Sequence, residues 1–327
     1  MRKEFIGFAF SAMLFALCSS ADAQQQKKVA RICHLGPASA SNTVINVKPF
    51  RERLREIGYV EGQNLTIEFR DAEGKIGRLP AHAAELIRLN CDIIATSGTE
   101  AAQTAKDVIK TVPVVMAFGA DAVKLGIVAD LARPGGNITG LTNMGAELYG
   151  KRLELLKETV PNLSPMAFLW SPSNPDAADN VKVMETVARF LRVGIQLSQV
   201  KGPDDIEGAF RAATKARANG LMVAAGGFFA FYRKRIIDLA EKSRLPAMYP
   251  TERYVEAGGL MTYGEDRSEM YRRAAEIVDK ILKGTKPADI PVERPKSFEF
   301  VINLKAAKQI GLTVPPEVLA RATRVIR

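Results

Sequence analysis

Histidine is almost missing from this chain: 327 residues carry two, His34 and His82. Neither belongs to an H-E-x-x-H or comparable ligand spacing, so a histidine metal centre has no basis in the sequence. Also absent are a G-x-G-x-x-G after the first strand and a G-x-x-x-x-G-K-[ST] loop, the two standard phosphate cradles of nucleotide binders. No G-x-S-x-G nucleophile elbow occurs, and no pair of carboxylates stands out as acid and base. There is no zinc-finger spacing, basic block or RNA-binding aromatic motif. The net charge of +10 comes from Lys and Arg scattered among carboxylates, as in "FYRKRIIDLAEKSR", which is the pattern of solvated helix faces. No catalytic residue, metal, cofactor or nucleic-acid partner is expected.

Long apolar runs are scarce too. The one that exists, Phe5 to Leu17, follows Arg2 and Lys3 and precedes "ADA" at 21–23. That is the layout of a signal peptide cleaved after Ala23, and no later run approaches the ~18 apolar residues of a membrane span. Cysteine is sparse, with three residues. Cys18 follows Leu17, where lipid attachment calls for Gly, Ala or Ser, so a plainly cleaved leader is expected. Cys33 falls late in one predicted strand and Cys91 just before another. Those positions lie at opposite ends of neighbouring parallel strands, too far apart to bridge. Two buried free thiols are predicted.

What is present is an alternation. Strand-like Val29–His34, Leu65–Arg70, Asp92–Thr96 and Pro113–Phe118 are interleaved with helical stripes at Val44–Ile57, Leu79–Leu89, Glu100–Ile109 and near Ala122–Ala132. After "RPGGNITGLTN" the rhythm restarts. Helices are predicted over Glu147–Thr159, Ala177–Arg192, Asp205–Arg217 and Phe231–Ser243, with strands at Met166–Trp170, Gln196–Val200, Leu221–Ala225 and Ala247–Tyr249. This is an α/β pattern with parallel sheets, in two similar lobes rather than one long sheet. The tail holds an extended "GGLMTYG", a helix over Met270–Leu282, a strand "FEFVIN" and two short helical segments ending near Ile326. Such a tail can return to the first lobe and cross again to the second.

Ligands of open parallel sheets gather beyond the carboxyl ends of the strands. The loops there are rich in Ser, Thr, Asn and Gly at helix starts: "GPASASN" (36–42), "SGT" (97–99), "GADA" (119–122), "SPSNPD" (171–176), "GGFF" (226–229) and "PTE" (250–252). Free amides and hydroxyls of that kind hold a carboxylate or polar head without breaking bonds. Each candidate also has a plainer reading. Ser97 and Thr99 fit helix caps, as do Asp121, Ser173 and Asn174. Trp170, and one of Phe228 and Phe229, fit the core, which leaves the other phenylalanine for the cleft.

The segments "RERLREIGYVEGQNLTIEFRDAEG", "LARPGGNITGLTN", "GKRLELLKETVPN", "EAGGLMTYG" and "VDKILKGTKPADIPVERPKSFEFVINLKAAKQIGL" resemble, in order along the mature chain, the ABC-transporter substrate-binding proteins of the branch that includes tryptophan-binding proteins. The resemblance implies a class I periplasmic binding protein: two Rossmann-like lobes joined by a three-segment hinge, with a solute closed between them. The implied units are a signal peptide (1–23), a first lobe (24–142 and about 264–296) and a second lobe (143–263 and about 297–327). The implied contacts of the first lobe fall on Ser41, Asn42, Ser97, Gly98, Thr99, Gly119 and Asp121. Those of the second fall on Ser173, Asn174, Gly227, Phe228, Phe229, Tyr249 and Glu252. Many relatives carry an Asp or Asn before a Pro where this chain has Gly226-Gly227. A larger or less polar solute, stacked on Phe228 or Phe229, fits that change better than an amino acid's ammonium group. The expected role is a monomeric periplasmic receptor, not an enzyme, delivering a small organic solute to an ABC importer permease and its ATPase. The alternative is a ligand sensor for a membrane signalling partner.

Overall fold

The computed structural model describes residues 29–39, 43, 47–119 and 121–327. The leader, Cys18, Ser41, Asn42 and the start of the helix predicted from Val44 lie outside the described residues. Strands β1 (Ala30–Gly36), β2 (Leu65–Asp71), β3 (Ile93–Ser97), β4 (Val114–Phe118) and β5 (Ile138–Gly140) form the first sheet, in the order β2-β1-β3-β4-β5. Every pairing in it is parallel. Such a sheet is covered on both faces, and alternate residues go to opposite layers. Ile32, Ala95 and Val115 enter one apolar cluster, while Cys33, Ile94 and Val114 enter the other. Helix α1 (Lys48–Glu56) covers the first layer; α2 (Leu79–Arg88) and α3 (Thr99–Val108) cover the second.

The chain then builds α4 (Leu148–Thr159), β6 (Met166–Trp170), α5 (Ala177–Phe190), β7 (Ile195–Gln199), α6 (Asp205–Lys215), β8 (Gly220–Val223), α7 (Gly227–Phe231), α8 (Arg233–Lys242), β9 (Ala247–Tyr249), α9 (Glu252–Glu256) and β10 (Met261–Glu265). Next comes α10 (Arg267–Leu282), which leaves this body and packs beside α1 on the first sheet. Tyr59 donates to Asp279 at 3.0 Å, Arg53 pairs with Glu276 at 2.8 Å, and Met270, Ala274 and Val278 fill the layer between. The chain returns through β11 (Phe298–Asn303), α11 (Leu304–Gln309), α12 (Pro316–Leu319) and β12 (Arg324–Ile326). The second sheet has the order β12-β11-β10-β9-β8-β6-β7, and β11 runs antiparallel to β10. The molecule is therefore a two-lobed α/β fold, and the chain passes between its sheets three times.

Three expectations need correction. The run Ala122–Ala132 is a series of turns: Gly126 takes a left-handed φ of 63°, and Ile127 and Val128 fold back to bond the Ala122 carbonyl, which buries both side chains. Two short strands escaped notice, β5 inside "RPGGNITGLTN" and β12 in place of a helical end. Each spans three residues, too short to show a period. Finally, Cys33 and Cys91 form a disulfide, not two free thiols. β1 runs on to Gly36, so Cys33 sits at mid-strand, and the register Ile32↔Ile93 brings the entry of β3 beside it. The Asp92 amide on the Arg31 carbonyl draws Cys91 inward, giving a Cα–Cα distance of 5.9 Å within bridging range.

The bridge joins residues 58 apart, and a loop of that size is worth about 2–4 kcal/mol. Replacing both cysteines by Ala should lower the unfolding free energy in urea by about that amount. An unchanged midpoint would show that the bond adds nothing to stability.

Candidate functional site

The carboxyl ends of β3 and β4 face those of β8 and β9 across a cleft of about 940 Å³, including the part open to solvent. On the first side, β3 ends in the turn Ser97-Gly98-Thr99, where α3 begins without a side-chain cap and the Gly98 amide donates to the Phe118 carbonyl at 3.1 Å. Ser97 Oγ lies 3.0 Å from His34 Nε2, and the Tyr271 hydroxyl hydrogen-bonds Ser97 as well. His34 is buried, which pushes its pKa down to about 4, so a neutral imidazole holds Ser97 in place. Asp71 stands behind His34 but 3.9 Å from its Nδ1, longer than a hydrogen bond. The trio therefore lacks the geometry of a hydrolase triad, and a histidine held near pKa 4 is a weak base at neutral pH.

Contacts cross the cleft. Glu100, in the first turn of α3, is 3% exposed. Its Oε1 accepts the Gly227 amide of the other lobe at 2.7 Å, and burial raises its carboxyl pKa. Pro37 presses on the same glycine: a Cβ at Gly227 would lie 2.4 Å from the Pro37 ring. Phe231 covers Gly74, and Lys124 pairs with Asp179 at 3.0 Å. The lobes are closed on each other.

From the second side the cleft receives Arg233, Glu252, Arg253 and Tyr254, and the start of α10 adds Arg267 and Ser268. The Arg267 guanidinium lies 3.9 Å from the centre of the Phe118 ring, a cation–π contact that fixes its direction. Arg253 is paired with Glu256 at 3.0 Å. Burial raises the Glu252 carboxyl, and Arg267 opposes that shift. Buried Arg152 donates to the Pro250 and Tyr263 carbonyls, pinning the loop that carries Thr251 and Glu252.

Of the residues singled out from the sequence, Ser97, Gly98, Thr99, Gly227 and Glu252 line this cleft together. Gly119 lies behind the turn, near the Gly98 carbonyl and Thr99 Cα. Asp121 faces a second pocket, and its Oδ1 accepts the Val123 and Lys124 amides as a cap. Ser173 bonds Ser171, and Asn174 donates to the Ala225 carbonyl at 2.7 Å, bracing the glycine loop from behind. Phe228 and Phe229 are both buried in the core of the second lobe, so neither offers a stacking face. Within the five-residue α7, Phe228 turns onto Tyr232 instead of into the cleft. Tyr249 is also core, stacked on Tyr254 at 5.0 Å. The residues that sequence reasoning missed are charged or aromatic: Glu100, Arg233, Arg253, Arg267 and Tyr271. Glu100 carried a usable signal, an acid placed directly after the anion-binding turn.

A two-lobed α/β receptor with its binding cleft between the lobes is the class that this geometry defines. Residues 38–326 match the model of the family described as ABC transporter substrate binding protein, and the chain belongs to that family, one of solute binders rather than enzymes. A tyrosine-binding protein of Clostridioides difficile is 23% identical over 265 residues, 81% of this chain and 76% of that protein. Among solved structures, a conserved domain protein from Vibrio cholerae is 26% identical with a TM-score of 0.84, over 91% of this chain and all of the other. An ABC domain in complex with L-Trp from Streptococcus pneumoniae is 27% identical with a TM-score of 0.83, over 91% and 99%. Among the described residues no helix is long and apolar enough to cross a membrane.

Two outcomes follow from the site geometry. Gly227→Ala should hold the lobes apart, giving a larger radius of gyration in solution scattering with unchanged circular dichroism; an unchanged radius would show that Pro37 yields. In an NMR titration the His34 ring should turn over near pH 4, and a midpoint near 6.5 would mean that the ring reaches water. Because the unfolded chain takes up this proton first, falling pH between 6.5 and 4 removes up to about 3 kcal/mol of stability through His34. Asp71, raised by burial to about 6, acts in the opposite sense as pH falls below that value.

Proposed function

We propose that this chain captures an amino acid with an aromatic or apolar side chain and passes it to the permease of an ABC importer. In this reading the leader at 1–23 exports it to the periplasm, where it works as a monomer. Its lobes are 24–142 with about 264–296, and 143–263 with about 297–327. The carrying observation is that one closed cleft holds both signs of charge at separate places. The positive end of the α3 dipole at the Ser97-Gly98-Thr99 turn and the guanidinium groups of Arg233, Arg253 and Arg267 suit a carboxylate. Glu100 Oε2 is buried without a partner and supplies the anion that Gly226-Gly227 lacks. An ammonium group beside it would restore the ionised form that burial disfavours. The tyrosine-binding relative and the L-Trp complex support the same class of cargo.

Native mass spectrometry of protein purified from its own host should show a co-purified amino acid. Replacing Ser97 and Thr99 together by Ala should weaken binding of that compound by about 1.5–3 kcal/mol for each hydrogen bond lost to the carboxylate. Glu100→Gln should weaken it as well in calorimetry, whereas a carboxylic acid without an amino group should bind both forms alike. Equal affinity of the Ser97/Thr99 variant and the parent would return those residues to the status of helix caps.

A further inference from the structure

Behind the cleft, and sharing Asn143 with it, lies a second pocket of about 880 Å³, including the part open to solvent, between α5 and the first crossing segment. Four carboxylates line it, Asp121, Glu147, Asp176 and Asp179, against two cations, Lys124 and Arg294. Three of the carboxylates are held by a cation or by backbone amides. Lys124 takes Asp179 at 3.0 Å, Arg294 reaches Glu147 at 3.6 Å, and backbone amides hold Asp121. Asp176 has no cation of its own; the Asn180 side chain hydrogen-bonds its carboxyl. It stands at the N-cap of α5, yet its side chain makes no capping bond there, and its Oδ1 is buried without a donor. Two further orphan acceptors line the same pocket, Asn143 Oδ1 and Asn180 Oδ1, and Asn180 is only 2% exposed.

Buried acceptors without donors are costly, and three of them around one pocket call for a ligand that only donates. Among the described residues, no group of three His, Cys, Asp or Glu side chains could hold a metal ion. An alkylammonium has three N–H donors, one positive charge and an apolar stem, and Leu125, Ala146 and Val183 in the same wall suit that stem. We propose that this pocket is a second site, which binds a primary ammonium group on Asp176, Asn180 and Asn143. Burial raises the Asp176 carboxyl, so an arriving cation gains by ionising it.

Small amines report on this pocket whatever the main cleft holds. Butylammonium chloride titrated into the full chain should bind saturably by NMR or calorimetry. Asp176→Asn, which keeps shape and removes charge, should weaken it at least tenfold. Asn180→Leu should weaken it too, whereas Arg267→Ala in the main cleft should leave it unchanged. The amine has two possible sources, a separate molecule or the far end of a solute already held in the cleft. A titration with 6-aminohexanoate separates them: loss of affinity in both Arg267→Ala and Asp176→Asn indicates one spanning solute, and loss in Asp176→Asn alone indicates a separate amine. Absence of saturable butylammonium binding, or equal affinity in Asp176→Asn, overturns the proposal. Neither result bears on capture of an amino acid in the main cleft.

Discussion

Burying the Glu100 carboxyl takes a group that prefers water into an apolar layer, and the Gly227 amide that meets it comes from the opposite lobe. Closure is therefore written into one residue's solvation. Apart, the lobes leave Glu100 hydrated; together, they remove that water and return a single hydrogen bond, with one oxygen still lacking a partner. A bound molecule that satisfies the second oxygen has a higher affinity for the closed form than for the open one, and that difference is what shifts such an equilibrium. Glycine at 227 and proline at 37 serve the same end, since they let the backbones approach closely enough for the bond to form.

Charge in the cleft is arranged by secondary structure more than by side-chain reach. The starts of α3 and α10 both lie at the cleft, so one contributes the positive end of its dipole and the other delivers Arg267 at its first position. Asp266 caps α10 by accepting the Glu269 amide, which fixes where that guanidinium begins. Although α10 follows the second sheet in sequence, it packs on the first. The lobes thus share a structural member, and two of the three crossings are its flanking segments.

The sequence disclosed the architecture because buried parallel strands read as continuous apolar runs, and β3, whose five residues are all buried, is one of them. It disclosed the Ser97-Gly98-Thr99 turn because strand, small residues and helix follow one another without a gap. Other features depend on distances between segments far apart in the chain. Nothing near Cys33 reports that Ile32 is in register with Ile93, and nothing near Glu100 reports that Gly227 will face it, 127 positions later. Phe228 misled for a related reason: a five-residue helix is too short for periodicity to tell which side is inside. In Ala122–Ala132 the apolar spacing was real, but Gly126 and the Asp121 cap turned it into a knot of turns.

The cystine between β1 and the entry to β3 closes only where thiols are oxidised. In a reducing cytosol the first lobe would be without this staple, held by packing alone. The redox state of the surroundings therefore sets how tightly the first lobe is fastened, since reduction undoes a covalent link while leaving the apolar layers intact.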